Sequence, residues 1–107
     1  MSKKESLFIN EIRNVAKRVI PPGGHIWLYG SRARGEATAE SDWDLLILLD
    51  KTKSEASDFD TIGYPLIEAG WDYAENVNPQ IYSYAEWDAR SITPYYVNVE
   101  HDKTLLA

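Results

Sequence analysis

The chain has no cysteine, which excludes disulfides, iron-sulfur clusters and thiol catalysis. Histidine is nearly absent, and His25 and His101 are too few and too far apart to suggest a zinc site. Positive charge is also scarce: 11 Lys and Arg stand against 17 Asp and Glu, for a formal net charge of -6. A polynucleotide would meet a repelling field, so stable nucleic-acid binding is not expected. No apolar run approaches the ~20 residues of a membrane span, and the opening Met1-Ser2-Lys3-Lys4-Glu5 lacks the apolar stretch of a signal peptide. The expectation is a cytoplasmic protein that does not touch membrane. Its chemistry must come from oxygen ligands, hydroxyls, arginines and backbone amides.

What is present fits one globular domain over residues 1–107, with 44% hydrophobic, 26% charged and 12% aromatic residues. Phe8, Ile9, Ile12, Val15, Ala16, Val19 and Ile20 recur at the spacing of an amphipathic helix over residues 3–20, and Ser2 with Glu5 can form a capping box at its start. Pro21-Pro22-Gly23-Gly24 stops that helix. His25 to Tyr29 reads as a short strand ended by Gly30. Trp43 to Leu49 reads as a strand covered on both sides, with Asp42, Asp44, Leu46 and Leu48 on one face and Trp43, Leu45, Ile47 and Leu49 on the other. Residues 54–69 carry a helical stripe at Phe59, Ile62, Leu66 and Ile67, broken or kinked by Gly63 and Pro65, with Gly70 as its C-terminal cap. A third strand runs from about Val77 to Tyr84, and Glu86 to Arg90 forms a helical turn. From Ile92 to Ala107 the pattern specifies no element. The fold class is α/β, a small mixed sheet of three to five strands flanked by helices.

Two acids at i and i+2 on a strand project from one face with α-carbons about 6.5 to 7 Å apart, so Asp42 and Asp44 can converge on one cation. Taken alone, such a pair is more often a solvated strand entrance. Gly30-Ser31 closes the neighbouring strand eleven residues before Asp42. A glycine there lets backbone approach a phosphate, and the serine hydroxyl and amide can donate to it. Arg32 and Arg34 lie in the same turn, where cations suit an anionic ligand or the two acids.

Gly30-Ser31-Arg32-Ala33-Arg34-Gly35-Glu36-Ala37 followed by Ser41-Asp42-Trp43-Asp44-Leu45 resembles the signature of the DNA polymerase β-like nucleotidyltransferase superfamily, specifically its minimal nucleotidyltransferases. The resemblance implies that fold, with Gly30 and Ser31 on the phosphates of a nucleoside triphosphate and Asp42 and Asp44 as the catalytic ligands of magnesium, two ions being accommodated in active relatives. Arg34 and Ser41 follow as nucleotide-site residues that support the loop and the acids. It also implies transfer of a nucleoside monophosphate, AMP from ATP, to a hydroxyl acceptor. Minimal nucleotidyltransferases are commonly paired, as antitoxins, with a HEPN-domain toxin, so such a protein is the implied partner. A protein this small can also pair with itself.

One position departs from the family pattern. Active members supply a third carboxylate from a neighbouring strand, and the corresponding positions here are Asn78 and Gln80. An amide oxygen can ligate a metal but cannot act as a base. Asp72, Glu75, Glu86 and Asp88 are the nearby acids that the fold would have to bring in. The alternative is a weakened or inactive nucleotidyltransferase fold that acts as a binding or antitoxin module. Other classes fit less well: Gly30 to Ala37 lacks the Gly-Lys-Ser/Thr ending of a P-loop, Asp42 to Asp50 lacks the ligand ladder of an EF-hand, and a sugar-nucleotide glycosyltransferase needs a longer chain. Trp27 and Trp43 are expected in the core; Tyr95 and Tyr96 are adjacent aromatics that can dock a partner or close over the site, with packing of the tail onto the sheet the expected outcome.

Overall fold

The computed structural model describes residues 2–107. Helix α1 spans Lys3–Val19, opened by the Ser2 hydroxyl, which accepts from the Glu5 amide at 3.1 Å, while the Glu5 carboxylate accepts from the Ser2 amide at 3.0 Å. Strand β1, His25–Tyr29, leads through Gly30 into a single helical turn, α2, Ser31–Arg34. Strand β2, Trp43–Leu49, follows, then α3 (Ala56–Asp58), a π-helical segment (Phe59–Gly63) and α4 (Tyr64–Asp72). Strand β3 (Val77–Ser83), helices α5 (Tyr84–Asp88) and α6 (Pro94–Asp102) and a two-residue strand β4 (Thr104–Leu105) complete the chain.

The four strands form one mixed sheet in the order β3-β2-β1-β4, in which β1 runs antiparallel to β2 and β4 while β2 and β3 are parallel. Alternation along β2 divides the interior in two, as its sequence requires. Trp43, Leu45, Ile47 and Leu49 join Ile26 and Leu28 against α1 and α4, where Phe8, Ile12 and Leu66 are fully buried. Each such side chain contributes about 1.5–3 kcal/mol. Leu46 and Leu48 face the other way, onto Trp87 of α5 and Val99 of α6.

Three local features differ from expectation. The interruption near Gly63 and Pro65 is a π-helical turn: proline offers no amide to the ladder, and the Tyr64 amide reaches back five residues to Phe59. Its stripe is only partly buried, since Ile62 and Leu66 are covered while Phe59 is exposed. Gly70 is not the cap of α4, which continues to Asp72; Ala74 takes the left-handed turn instead, at φ 56°. Gly70 is needed for close approach, because a β-carbon there would lie 2.7 Å from the Glu75 carbonyl oxygen. The unpatterned tail is α6 and β4, with Thr93 capping α6 by accepting from the Tyr96 amide at 3.1 Å. Trp43 is fully buried, whereas Trp27 is only partly covered and lies beneath the Lys103 ammonium, 4.8 Å from the ring centroid.

Candidate functional site

The site gathers at the C-terminal end of β1 and the N-terminal end of β2, which the antiparallel register brings side by side. Tyr29 pairs with Asp44 across the two strands, and Asp44 pairs with Asn78 on β3. Gly30 then turns at φ 76° and ψ -158°, a conformation that only glycine adopts readily. It also sits against Asp44 so closely that a β-carbon at Gly30 would overlap Oδ2 of that carboxylate. The turn and the acid-bearing strand are thus in direct contact, with Ser31 beginning α2 and the first amides of that turn free of helical acceptors.

Asp44 is partly buried and Asp42 exposed at the strand entrance. Burial raises the proton affinity of the Asp44 carboxylate above its ordinary value. The Asn78 amide, donating to Oδ1 at 3.2 Å, opposes that rise, the neighbouring Asp42 charge adds to it, and Arg34 opposes it. Asn78 in turn accepts from Nε2 of Gln80 at 3.2 Å, so the edge of the site on β3 is a chain of two amides. Pro79 between them is tolerated because β3 is an edge strand.

The two arginines of α2 have separate tasks. Arg32 does not face the acids: it is buried, stacks over Trp43 at 4.5 Å, and donates to the Ser41 carbonyl at 2.8 and 3.1 Å and to Glu5 at 3.2 Å. Ser41 completes this brace with its hydroxyl, which accepts from the Thr38 amide at 2.9 Å. The loop delivering Asp42 is therefore tied down from both sides. Arg34 is partly exposed and is held by Glu36 at 2.6 Å and by Asp102 of α6 at 2.5 Å.

None of the acids near β3 in sequence joins Asp44. Glu75 accepts from Trp43 Nε1 at 3.1 Å beneath Arg32, on the opposite side of the sheet, and Glu86 caps α5. Asp72 lines a groove between α1 and α4, and Asp88 ends α5. Among the described residues no group of three or more His, Cys, Asp or Glu gathers at a point that could hold a metal. The donor set is two carboxylates with the Asn78 amide beside them. Oxygen donors of this kind fit a hard divalent cation that completes its shell with phosphate oxygens and water.

Sequence reasoning missed the aromatic wall beside Asp44. The hydroxyls of Tyr29 and Tyr95 lie 3.0 Å apart. Burial raises both phenols above their ordinary range, and the Asp44 charge adds to each rise. The signal for Tyr29 is its place directly before Gly30, but only the strand register stands it opposite Asp44. Tyr95 is expected to pack onto the sheet and does so against Tyr29, whereas Asp102 comes from a segment without a pattern.

The model of the nucleotidyltransferase domain family matches residues 9–99. The chain belongs to that family. No curated protein matches it. Among solved structures, this nucleotidyltransferase domain is similar to a chain in a crystal structure of a toxin-antitoxin with AMP-PNP, with 19% identity and a TM-score of 0.64. The match covers 92% of this chain and 72% of that one, and at this identity it speaks for the shared fold.

Proposed function

We propose that the protein binds ATP with Mg²⁺ and transfers AMP to a hydroxyl on a protein partner. The observation that carries this reading is the contact between Gly30 and Asp44, which leaves no room for a side chain between the turn and that acid. In the reading, Gly30 and Ser31 receive the phosphates, and Asp42 and Asp44 hold magnesium. Arg34 and Ser41 support the turn and the loop. When bound, magnesium supplies charge neutralisation for the displacement at phosphorus. The acceptor oxygen forms a bond to the α-phosphorus, the bond from that phosphorus to the β-phosphate bridge breaks, and pyrophosphate leaves. The acceptor's proton goes to solvent, because the group beside Asp44 is the amide of Asn78. The partner we assign is a HEPN-domain toxin, supported by the resemblance to minimal nucleotidyltransferases and by the toxin-antitoxin described for the similar structure. The site of action is the cytoplasm.

Labelled ATP with Mg²⁺ and a co-expressed partner should give a labelled partner, lost in Asp42→Asn and Asp44→Asn. Absence of transfer to any partner, with both variants behaving like the parent in cells, would sink the enzymatic reading. Asn78 and Gln80 favour a second reading, in which the fold binds nucleotide and partner without turnover. Release of pyrophosphate from ATP at a rate abolished by Asp44→Ala would remove it.

A further inference from the structure

An in-line displacement fixes three directions around the α-phosphorus: leaving group and acceptor lie opposite each other, and the nucleoside leaves to the side. This inference rests on the nucleotide reading above. The sheet order β3-β2-β1 puts the Gly30-Ser31 turn, which receives the leaving phosphates, on one flank of Asp44 and the Asn78-Gln80 amides on the other. The nucleoside must then project out of the sheet, from the face that carries Tyr29, Asp44 and Leu46. That face is covered by α5 and α6, and beside Asp44 its wall is Tyr95.

Tyr95 has the properties of a stacking platform. The residue is 37% exposed although aromatic neighbours hold it on two sides. Tyr29 meets it edge-on at 6.2 Å and Trp87 at 5.7 Å, and its hydroxyl is tethered to Tyr29 at 3.0 Å. The adjacent Tyr96 packs on Trp87 at 5.0 Å and Thr93 caps the helix, so the ring's position is fixed before any ligand arrives. A rigid, half-open aromatic costs little entropy to use and offers a π-face to a purine.

We propose that Tyr95, braced by Tyr29, is the wall on which the nucleoside of the bound triphosphate stacks. Calorimetric titrations with ATP and with inorganic tripolyphosphate, each with Mg²⁺, separate this role from phosphate binding. The parent should prefer ATP, and Tyr95→Ala should weaken ATP roughly 10-fold while leaving tripolyphosphate unchanged. Tyr95→Phe, which keeps the ring, should retain ATP binding and shows that an effect of Tyr95→Ala is not loss of fold. ATP binding by Tyr95→Ala within twofold of the parent overturns the proposal, as does an equal loss of both ligands. If the parent binds tripolyphosphate but does not prefer ATP, the stacking wall fails and the phosphate site stands. If the parent binds neither, the nucleotide reading fails and takes this one with it.

Discussion

Arg34 of α2 lies 2.5 Å from Asp102 at the end of α6, linking the turn that follows Gly30 to the helix covering the opposite flank of the site. Glu36 occupies the same guanidinium at 2.6 Å, so a cation whose field reaches Asp44 is shared between two other carboxylates. In the proposed function a bound triphosphate would compete with them. Asp102→Asn should therefore strengthen binding of ATP with Mg²⁺ by a few-fold, since a charge-assisted bond between Arg34 and phosphate replaces one already committed. Calorimetry at low and physiological salt checks this, and weaker binding in the variant would mean that Asp102 positions Arg34 rather than withholding it.

Gly30 and Gly35 both have positive φ, at 76° and 74°, but only Gly30 is crowded. Gly35→Ala introduces backbone strain into open space and should cost about 1–2 kcal/mol with nucleotide binding intact. Gly30→Ala adds an overlap with Asp44, so it should cost more and displace the carboxylate. Urea denaturation of both variants, alongside ATP titration, separates strain from damage to the site; equal effects on binding would refute the distinction.

Arg32 holds Ser41 and Thr38 carbonyls, Glu5 and Glu75 from a buried position. Lysine keeps the charge but loses the planar fork that bridges these acceptors. Arg32→Lys should destabilise the domain by about 1.5–3 kcal/mol, the range for a lost hydrogen bond to a charged group, and loosen the loop before Asp42. Chemical denaturation measures the first effect and amide exchange of residues 36–42 the second.

Asn78 donates to Asp44 at 3.2 Å, which makes it the position for restoring a third acid. In Asn78→Asp two carboxylates face each other without a donor between them. The variant should melt below the parent in chelator and gain more from added Mg²⁺ than the parent does. Thermal melts with and without the ion read both effects, and an Mg²⁺ response no larger than the parent's would count against metal binding at this end of β2.

How much of this was legible follows from where each signal resides. The β2 pattern fixes both interior faces by itself, because seven alternating positions leave one register that buries Trp43 and frees Asp44. Gly30, Ser31, Asp42 and Asp44 were readable as a group, since their residue types and spacing carry the resemblance. Arg32 and Arg34 looked equivalent in sequence and diverged only in three dimensions, because one helical turn points them in different directions. Gly70 resembled a cap, but the approach of the Glu75 carbonyl is a tertiary contact that propensity does not encode. Helix α6 was invisible for a related reason: it buries only Val99 fully and presents Val97 to solvent, leaving little periodic contrast.

Acid sensitivity should centre on Glu86, far from the site. Its carboxylate accepts from the Ser83 amide at 2.7 Å and the Ser54 amide at 3.0 Å, tying the start of α5 to the loop after β2. These bonds, the Ser83 amide foremost, lower its pKa to about 2. An unfolded glutamate titrates near 4.3, so the ionised group's contribution is fully present above that pH and declines as pH falls from there toward about 2. Glu86→Gln cannot ionise and should be less stable than the parent at neutral pH. The difference between the two should shrink as pH falls from about 5 to 2. Denaturation midpoints for both proteins across that range test this, and a constant difference would show that the capping bonds do not depend on charge.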